Sequence, residues 1–142
     1  MSKVYRAVLV GTGSICDAHL RAVESVSERV ELVAAVDIDP ERVKTFCERA
    51  KVPHAFTDFD KMLEEIAPDL VLIATPPSSH AEMSIKAMEK GAWVLCEKPL
   101  CGSLAELDQI RAAEQSTGCY TGCVFQMRFA SSNLHLKRLA AS

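Results

Sequence analysis

Residues 8–16 read VLVGTGSIC, an apolar run that breaks into two glycines one residue apart and then continues into a segment with helical spacing. This order predicts a β-strand, a tight turn and the N-terminus of an α-helix. Unpaired backbone N–H groups and the positive end of the helix dipole lie at such a terminus, and glycines let a pyrophosphate approach the backbone closely. The turn therefore predicts a dinucleotide site. The predicted contacts are Gly11, Thr12, Gly13, Ser14 and Ile15.

The glycine motif is incomplete, because Cys16 stands where the third small residue of G-x-G-x-x-G/A is expected. An ordinary strand-to-helix turn is therefore the alternative interpretation. A second apolar run, residues 32–36, ends in Asp37, and this aspartate follows Cys16 by 21 residues. An acid about 20 residues beyond such a turn is typical of the residue that binds the adenosine ribose. The combination favours dinucleotide binding, with Asp37 on the ribose.

The identity of residue 37 also predicts which dinucleotide binds. The Asp37 carboxylate accepts hydrogen bonds from ribose hydroxyls and repels a 2′-phosphate. The next three residues, IDP, provide no arginine, and Arg42 is the nearest candidate for a phosphate. NAD is therefore the predicted cofactor, with NADP less favoured.

Composition limits the class of protein. The chain has 142 residues, 49% hydrophobic and 25% charged, which is typical of one soluble globular domain. A formal net charge of −3 gives no electrostatic reason to expect nucleic acid or an anionic membrane as a partner. No strictly apolar run approaches the roughly 20 residues of a membrane span, and no signal-peptide pattern follows Met1. We expect a cytoplasmic protein.

The six cysteines contain no C-x-x-C pair, and the four histidines are scattered. Several of the cysteines lie within predicted strands or helices, as small hydrophobic residues do in reducing compartments. We expect free thiols and no metal site. These cysteines are Cys16, Cys47, Cys96, Cys101, Cys119 and Cys123.

Strands and helices alternate along the chain. Strands are predicted near residues 4–10, 30–37, 54–56, 69–74, 92–96 and 119–125. The second is apolar at consecutive positions, which is typical of a strand covered on both faces. The alternation predicts an α/β fold with a doubly wound, Rossmann-like parallel sheet of about six strands and helices on both faces. Residues 1–124 form the predicted dinucleotide-binding domain.

Helix starts and buried faces follow from local patterns. Asp39 before Pro40 predicts an N-cap, the serines after Pro77 predict another, and Ser103 with Glu106 predicts a capping box. Two apolar stripes are predicted to be buried: Ile15, Ala18, Ala22, Val23 and Val26 in the first helix, and Leu104, Leu107, Ile110 and Ala113 in the last helix of this domain. His19 is predicted to be a surface or capping residue.

Three polar clusters follow the first, fourth and fifth strands: the glycine turn, residues 75–80 and residues 97–99. Ligands of doubly wound sheets bind at the carboxyl ends of the strands, where these clusters meet. Lys98, between Glu97 and Pro99, is the candidate for chemistry, and its bond to Pro99 is a candidate cis peptide. A solvated Lys–Glu pair on the surface is the alternative.

The sequence elements GTGSI, Asp37, TPPSSH and EKP occur in an order and spacing that resembles the nucleotide-binding domain of the Gfo/Idh/MocA oxidoreductases, and FQMRF at residues 125–129 is similar to the segment that leaves this domain. The resemblance covers essentially the whole chain. It implies hydride transfer between a nicotinamide cofactor and a hydroxyl or carbonyl carbon of a sugar, inositol or related polyol. This sequence differs from the family pattern in two places. Cys16 replaces a small residue, and Pro77 stands where asparagine is frequent.

By position in these motifs, the resemblance implies catalytic roles for Lys98, Glu97 and His80. Lys98 would contact the substrate and the nicotinamide ribose and assist proton transfer, while Glu97 and His80 would line the nicotinamide side. Thr75 and Pro76 join the cofactor-binding set. The cation of a lysine is suited to stabilising an alkoxide that forms as hydride leaves.

Residues 125–142 are expected to begin a second, substrate-binding α/β domain that this chain lacks, so that the chain by itself is truncated and inactive. The apolar residues of this tail also suit the interface of a homo-oligomer. Two other functions stay open: a non-catalytic NAD-sensing or interaction module, and a structural remnant that binds no nucleotide. The first predicts NAD-dependent association without dehydrogenase activity.

Overall fold

The computed structural model describes residues 3–140 and consists of alternating strands and helices. The strands are β1 (Tyr5–Val10), β2 (Val30–Val36), β3 (His54–Phe56), β4 (Leu70–Ile73), β5 (Trp93–Cys96) and β6 (Thr121–Cys123). The helices are α1 (Cys16–Glu24), α2 (Pro40–Ala50), α3 (Phe59–Ile66), α4 (His80–Glu89), α5 (Leu104–Thr117) and α6 (Ser131–Ala140). Two short 3₁₀ turns occupy Pro77–Ser79 and Gln126–Phe129.

The six strands form one parallel sheet in the order β3-β2-β1-β4-β5-β6. The chain runs outward from β1 through β2 to β3 and then returns to the other side of β1 with β4. This reversal opens a crevice at the carboxyl ends of β1 and β4, where doubly wound folds bind ligands. The predicted Rossmann-like sheet is confirmed.

A separate apolar core lies on each face of the sheet. Val8 and Val10 belong to the core that α3, α4 and α5 cover, whereas Leu9 belongs to the core beneath α1 and α2. Successive residues of a strand point to opposite faces, so a strand covered on both sides must be apolar at every position. This explains the continuous apolar runs of the sequence.

Helix α2 starts where the sequence predicts. The Asp39 side chain accepts hydrogen bonds from the backbone N–H groups of Glu41 and Arg42, at 3.1 and 3.2 Å, and Pro40 is the first helical residue. Replacing Asp39 with alanine should lower the free energy of unfolding by about 1 kcal/mol, because two N–H groups lose their acceptor. Urea denaturation measures this change, with exposed Glu48→Ala near the end of the same helix as the control.

The other two predicted caps differ in detail. Ser103 accepts from the Glu106 amide at 3.2 Å, but the Glu106 carboxylate accepts from Gly102 at 2.6 Å and not from the capping residue. Ser79 precedes α4 without capping it. Its hydroxyl donates instead to Thr75 Oγ1, at 2.8 Å, and lies 2.9 Å from the Pro76 carbonyl oxygen. The serine-cap prediction for α4 is therefore wrong.

Helix α1 turns a different face to the sheet than predicted. Its buried residues are Cys16, His19 and Val23, spaced three and four apart, whereas Ala18 and Ala22 are exposed. Ile15 and Val26 lie outside the helix and are also exposed. Leu104 is 79% exposed, because it is the first residue of α5 and lies before the part of the helix that packs. Only residues Thr121–Cys123 of the predicted sixth strand pair with β5.

Helix α6 contributes no buried residue to the structure. Leu134 and Leu136 are exposed along it, as are the apolar residues of the preceding turn, Phe125, Met127 and Phe129. The expectation that residues 125–142 begin a second domain stays a prediction, and residues 141–142 lie outside the described part.

All six cysteines are free thiols, and Cys16, Cys47, Cys96 and Cys119 are buried. Burial raises the pKa of the Cys96 thiol to about 12, which keeps it protonated and unreactive at neutral pH. Within residues 3–140, no three His, Cys, Asp or Glu side chains are grouped as a metal site. None of the helices in this part of the chain is long and apolar enough to span a bilayer.

Candidate functional site

A cavity of about 790 Å³ opens at the carboxyl ends of β1, β4 and β5. This volume is within the usual range of small-molecule and cofactor pockets. Nine of the predicted site residues line it: Gly11, Gly13, Ser14, Ile15, Asp37, Thr75, Pro76, Glu97 and Lys98. Gln126, which the sequence analysis did not assign to the site, also lines it from the turn after β6.

The two glycines of the turn have different roles. Gly11 has a φ of +92°, and a Cβ atom on it would lie 2.6 Å from the Ala74 carbonyl oxygen. The protein itself therefore requires glycine there, because the turn passes directly over the end of β4. A Cβ on Gly13 would meet no heavy atom within 4 Å. The space beside Gly13 belongs to the cavity, so a group bound there can approach the backbone closely.

The N-terminus of α1 presents free hydrogen-bond donors to this space. Ile15 is the N-cap residue, and its side chain caps nothing. Within the described part of the chain, the backbone N–H groups of Gly13, Ser14 and Ile15 have no acceptor. Such a row of amides at a helix N-terminus is suited to an anion such as a pyrophosphate. The residues present therefore fit the phosphate portion of a dinucleotide.

Asp37 also lines the cavity, next to the glycine turn, and is only 7% exposed. Its Oδ2 accepts from the Thr12 amide at 2.8 Å and the Thr12 hydroxyl at 2.9 Å, and its Oδ1 accepts from the Asp39 amide at 3.0 Å. Burial alone would raise the pKa of Asp37, but these hydrogen bonds outweigh it and hold the pKa below its usual value. The carboxylate is therefore ionised at neutral pH.

Thr12 and Arg42 define the surroundings of this carboxylate. Thr12 is buried, does not line the cavity and donates its hydroxyl to Asp37. Its contact with a cofactor stays a prediction. Arg42 lines the cavity, with its guanidinium 3.8 Å from Asp37 and 3.6 Å from Asp39. It is half-exposed, so its interaction with Asp37 is weak.

His80 lies beneath the cavity and not on its wall. It is 1% exposed, with Nδ1 2.7 Å from the Pro99 carbonyl oxygen and Nε2 2.8 Å from the Thr75 carbonyl oxygen. The side chain thus joins the turn after β4 to the loop after β5. His80 does not line the cavity, because both of its ring nitrogens face backbone carbonyl groups, and its expected place on the nicotinamide side stays a prediction.

Glu97 and Lys98 reach the cavity from the end of β5. Glu97 is 9% exposed, and its Oε2 accepts from the Lys98 backbone amide at 3.3 Å. Lys98 is exposed, and its ammonium makes no hydrogen bond or ion pair with any residue between 3 and 140. The Lys98–Pro99 peptide is cis, as the sequence suggests. The lysine therefore offers an unpaired cation to whatever occupies the cavity.

His19 lies beside the site and, like Gln126, was not predicted to belong to it. It is buried, and its Nε2 lies 3.1 Å from Glu97 Oε1 across 78 residues of sequence. The prediction of a surface or capping residue is therefore wrong. A signal was present, because His19 follows Cys16 by three residues and precedes Val23 by four, and so shares their helical face.

Two curated relatives illustrate what the chain is similar to. It is 32% identical over 118 residues to inositol 2-dehydrogenase 1 of Paenarthrobacter aurescens, an alignment that covers 83% of this chain and 35% of that protein. It is 31% identical over 113 residues to scyllo-inositol 2-dehydrogenase (NADP(+)) of Bacillus subtilis, covering 80% of this chain and 34% of that protein. The chain thus spans about a third of the length of these two relatives.

Two solved structures of dehydrogenases have a similar fold over nearly the whole of this chain. The WlbA dehydrogenase of Chromobacterium violaceum, in complex with NADH and UDP-GlcNAcA, superposes with a TM-score of 0.91 at 30% identity, covering 97% of this chain and 40% of that one. The myo-inositol 2-dehydrogenase of Lactobacillus plantarum gives a TM-score of 0.88 at 28% identity, with coverages of 98% and 41%.

The family profile accounts for most of the chain. Residues 5–125, from the first residue of β1 to the segment after β6, match the oxidoreductase family with an NAD-binding Rossmann fold. This match contains the glycine turn, Asp37 and the Glu97–Lys98 segment, which are the elements that meet in the cavity. The chain therefore belongs to the Gfo/Idh/MocA oxidoreductase family and contains its NAD-binding Rossmann domain.

Proposed function

We propose that this chain binds NAD in the cavity and serves hydride transfer between its nicotinamide and a hydroxyl or carbonyl carbon of a sugar, inositol or related polyol. One observation carries the proposal. Unpaired amides at the α1 N-terminus, an ionised buried aspartate and an unpaired lysine line the same cavity. The amides suit the pyrophosphate, the aspartate suits the adenosine ribose, and the lysine suits the reacting oxygen of the substrate.

Each residue has a separable task. The Gly13, Ser14 and Ile15 amides would hold the pyrophosphate, and the remaining lone pairs of Asp37 would accept from the ribose hydroxyls. The cofactor, when bound, supplies the hydride acceptor. Lys98 would stabilise negative charge on the substrate oxygen as its carbon loses hydride, and would exchange the proton with that oxygen. Glu97 would line the nicotinamide side.

The choice between NAD and NADP depends on Asp37 and Arg42. The ionised Asp37 repels a 2′-phosphate, which favours NAD, while Arg42 is near enough to attract one. Because the three hydrogen bonds to Asp37 fix its carboxylate at the cavity wall, we propose that NAD is the preferred cofactor.

Calorimetric titration of the purified chain with NAD and with NADP tests the proposal. We expect NAD to bind at micromolar to sub-millimolar affinity, about −5 to −8 kcal/mol, and NADP to bind at least tenfold more weakly. Asp37→Ala should reduce this preference. A folded chain that binds neither dinucleotide contradicts the proposal, and one that prefers NADP contradicts the role given to Asp37.

Three further proposals concern features outside the cavity. We propose that residues 125–142 begin a substrate-binding domain, because α6 buries no residue and both it and the preceding turn expose large apolar side chains. The same surface supports self-association. The six free thiols favour a reducing, cytoplasmic compartment.

The exposed apolar surface of α6 also supports a second candidate, a non-catalytic NAD-sensing module that docks a partner. This candidate predicts association that depends on NAD and no dehydrogenase activity in any longer form of the protein. Sedimentation of the chain with and without NAD distinguishes it, because a catalytic domain needs no such dependence. The unpaired Lys98 beside the cavity favours the enzyme.

A further inference from the structure

His19 and Glu97 form a buried pair that the proposed chemistry does not explain. Their side chains are 8% and 11% exposed, and Nε2 lies 3.1 Å from Oε1. His19 belongs to α1, whose N-terminus presents the phosphate-binding amides, and Glu97 directly precedes Lys98. The pair therefore joins the helix whose N-terminus faces the cavity to the segment that carries Lys98, although the residues are 78 apart in sequence.

The contacts of Glu97 explain why a partner is needed. One carboxylate oxygen lies beside His19, and the other accepts from the Lys98 backbone amide at 3.3 Å. A buried carboxylate oxygen without a partner is unfavourable. Without His19, the carboxylate would turn towards the cavity to reach solvent, and the Lys98 amide would lose its acceptor. The Glu97 carboxylate and the segment that carries Lys98 would then both be displaced.

We propose that His19 is a positioning residue that fixes the Glu97 carboxylate and, through the Lys98 amide, the segment that carries Lys98. This inference rests on the proposed function, because it takes the Glu97–Lys98 segment to act on the nicotinamide half of NAD. His19 does not line the cavity and touches no ligand itself. One short helix, α1, thereby holds the pyrophosphate with its N-terminus and orients the nicotinamide end with its fourth residue.

Comparing NADH with ADP-ribose tests this role, because ADP-ribose contains the pyrophosphate and adenosine but lacks the nicotinamide. We measure both affinities on the 142-residue chain. The wild type should bind NADH about tenfold more tightly than ADP-ribose, because one hydrogen bond to a charged group contributes about that much affinity. We call this tenfold ratio of affinities the margin. His19→Ala should lose this margin while its ADP-ribose affinity stays within about twofold. His19→Gln, whose amide also donates, should restore most of the margin.

Two further variants make the result specific. His135→Ala removes an exposed histidine of α6 and should change neither affinity. Combining His19→Ala with Glu97→Gln should cost no more of the margin than Glu97→Gln alone, because His19 acts through Glu97. Thermal unfolding of each variant shows that it is folded. If His19→Ala does not fold, His19→Gln and Glu97→Gln provide the comparison by themselves.

The outcomes separate the two proposals. A wild type that binds neither ligand rejects the proposed function. A wild type that binds both equally, or a His19→Ala variant that weakens both in parallel or keeps the margin, overturns the positioning role while the dinucleotide site stands. A His19→Gln variant no better than His19→Ala overturns it also, since the role requires a donor at that place.

Discussion

Replacing Gly11 with alanine is expected to lower the free energy of unfolding by about 2 to 5 kcal/mol, a large part of the 5 to 15 kcal/mol typical of a domain. Two effects add. The φ of +92° is unfavourable for any residue with a Cβ, and that Cβ would lie 2.6 Å from the Ala74 carbonyl oxygen. Because the neighbour is backbone at the end of β4, no side chain can move aside. Equilibrium urea denaturation measures the loss.

Gly13→Ala is the matched control for Gly11→Ala. A Cβ at Gly13 meets no heavy atom within 4 Å, so stability should change by no more than about 0.5 kcal/mol. The added methyl group occupies the space in which a pyrophosphate would approach, and NADH affinity should fall at least tenfold. Wild-type stability in Gly11→Ala would show that the turn can separate from β4. Wild-type NADH affinity in Gly13→Ala would place the phosphate elsewhere.

Replacing Lys98 with alanine is expected to lower kcat by about 10² to 10⁴, the usual contribution of a positioned proton-transfer group. NADH affinity should stay within a few-fold, because the phosphate and ribose contacts are unaffected. The measurement requires a substrate domain, which a fusion to the C-terminal part of the Paenarthrobacter aurescens relative can supply. NADH formation from inositols and sugars is followed by absorbance, with the unsubstituted fusion as the reference.

A control lysine and a rescue experiment sharpen this result. Lys44→Ala removes an exposed lysine of α2 that does not line the cavity, and its kcat should equal that of the reference. Small primary amines added to Lys98→Ala should restore part of the rate, because they return a cation to the empty space. An unchanged kcat would mean that Lys98 is a solvated surface residue. Loss of NADH binding would instead make it a cofactor-positioning residue.

Features that depend on neighbours in sequence could be predicted without the structure. The Asp39 cap needs only residues within one helical turn, and the structure confirms it. The apolar run of β2 likewise indicates burial on both faces wherever the strand lies in the sheet. The glycine turn was identifiable because φ above zero and close approach both require glycine.

Features that depend on distant partners could not be predicted in this way. The helical face that His19 shares with Cys16 and Val23 indicates its burial, but its hydrogen-bond partner, Glu97, is 78 residues away and no local pattern identifies it. His80 was assigned to the cavity from its motif, but its position follows from two carbonyl groups on separate loops. In α1, the face with Ala18 and Ala22 is more apolar in sequence than the face with His19, and it was therefore predicted to be buried. The structure buries the face with His19.

Trp93 gives the protein an optical property that follows from the direction of β5. It is the single tryptophan of the chain and lies at the first residue of β5, in edge-to-face contact with Tyr120 at 5.5 Å between ring centroids. The cavity begins at the other end of this strand, about 13 Å away at 3.3 Å per residue. Tryptophan emission overlaps the absorption of reduced nicotinamide. The chain therefore carries an internal energy-transfer donor, and quenching of its fluorescence reports NADH occupancy without a label.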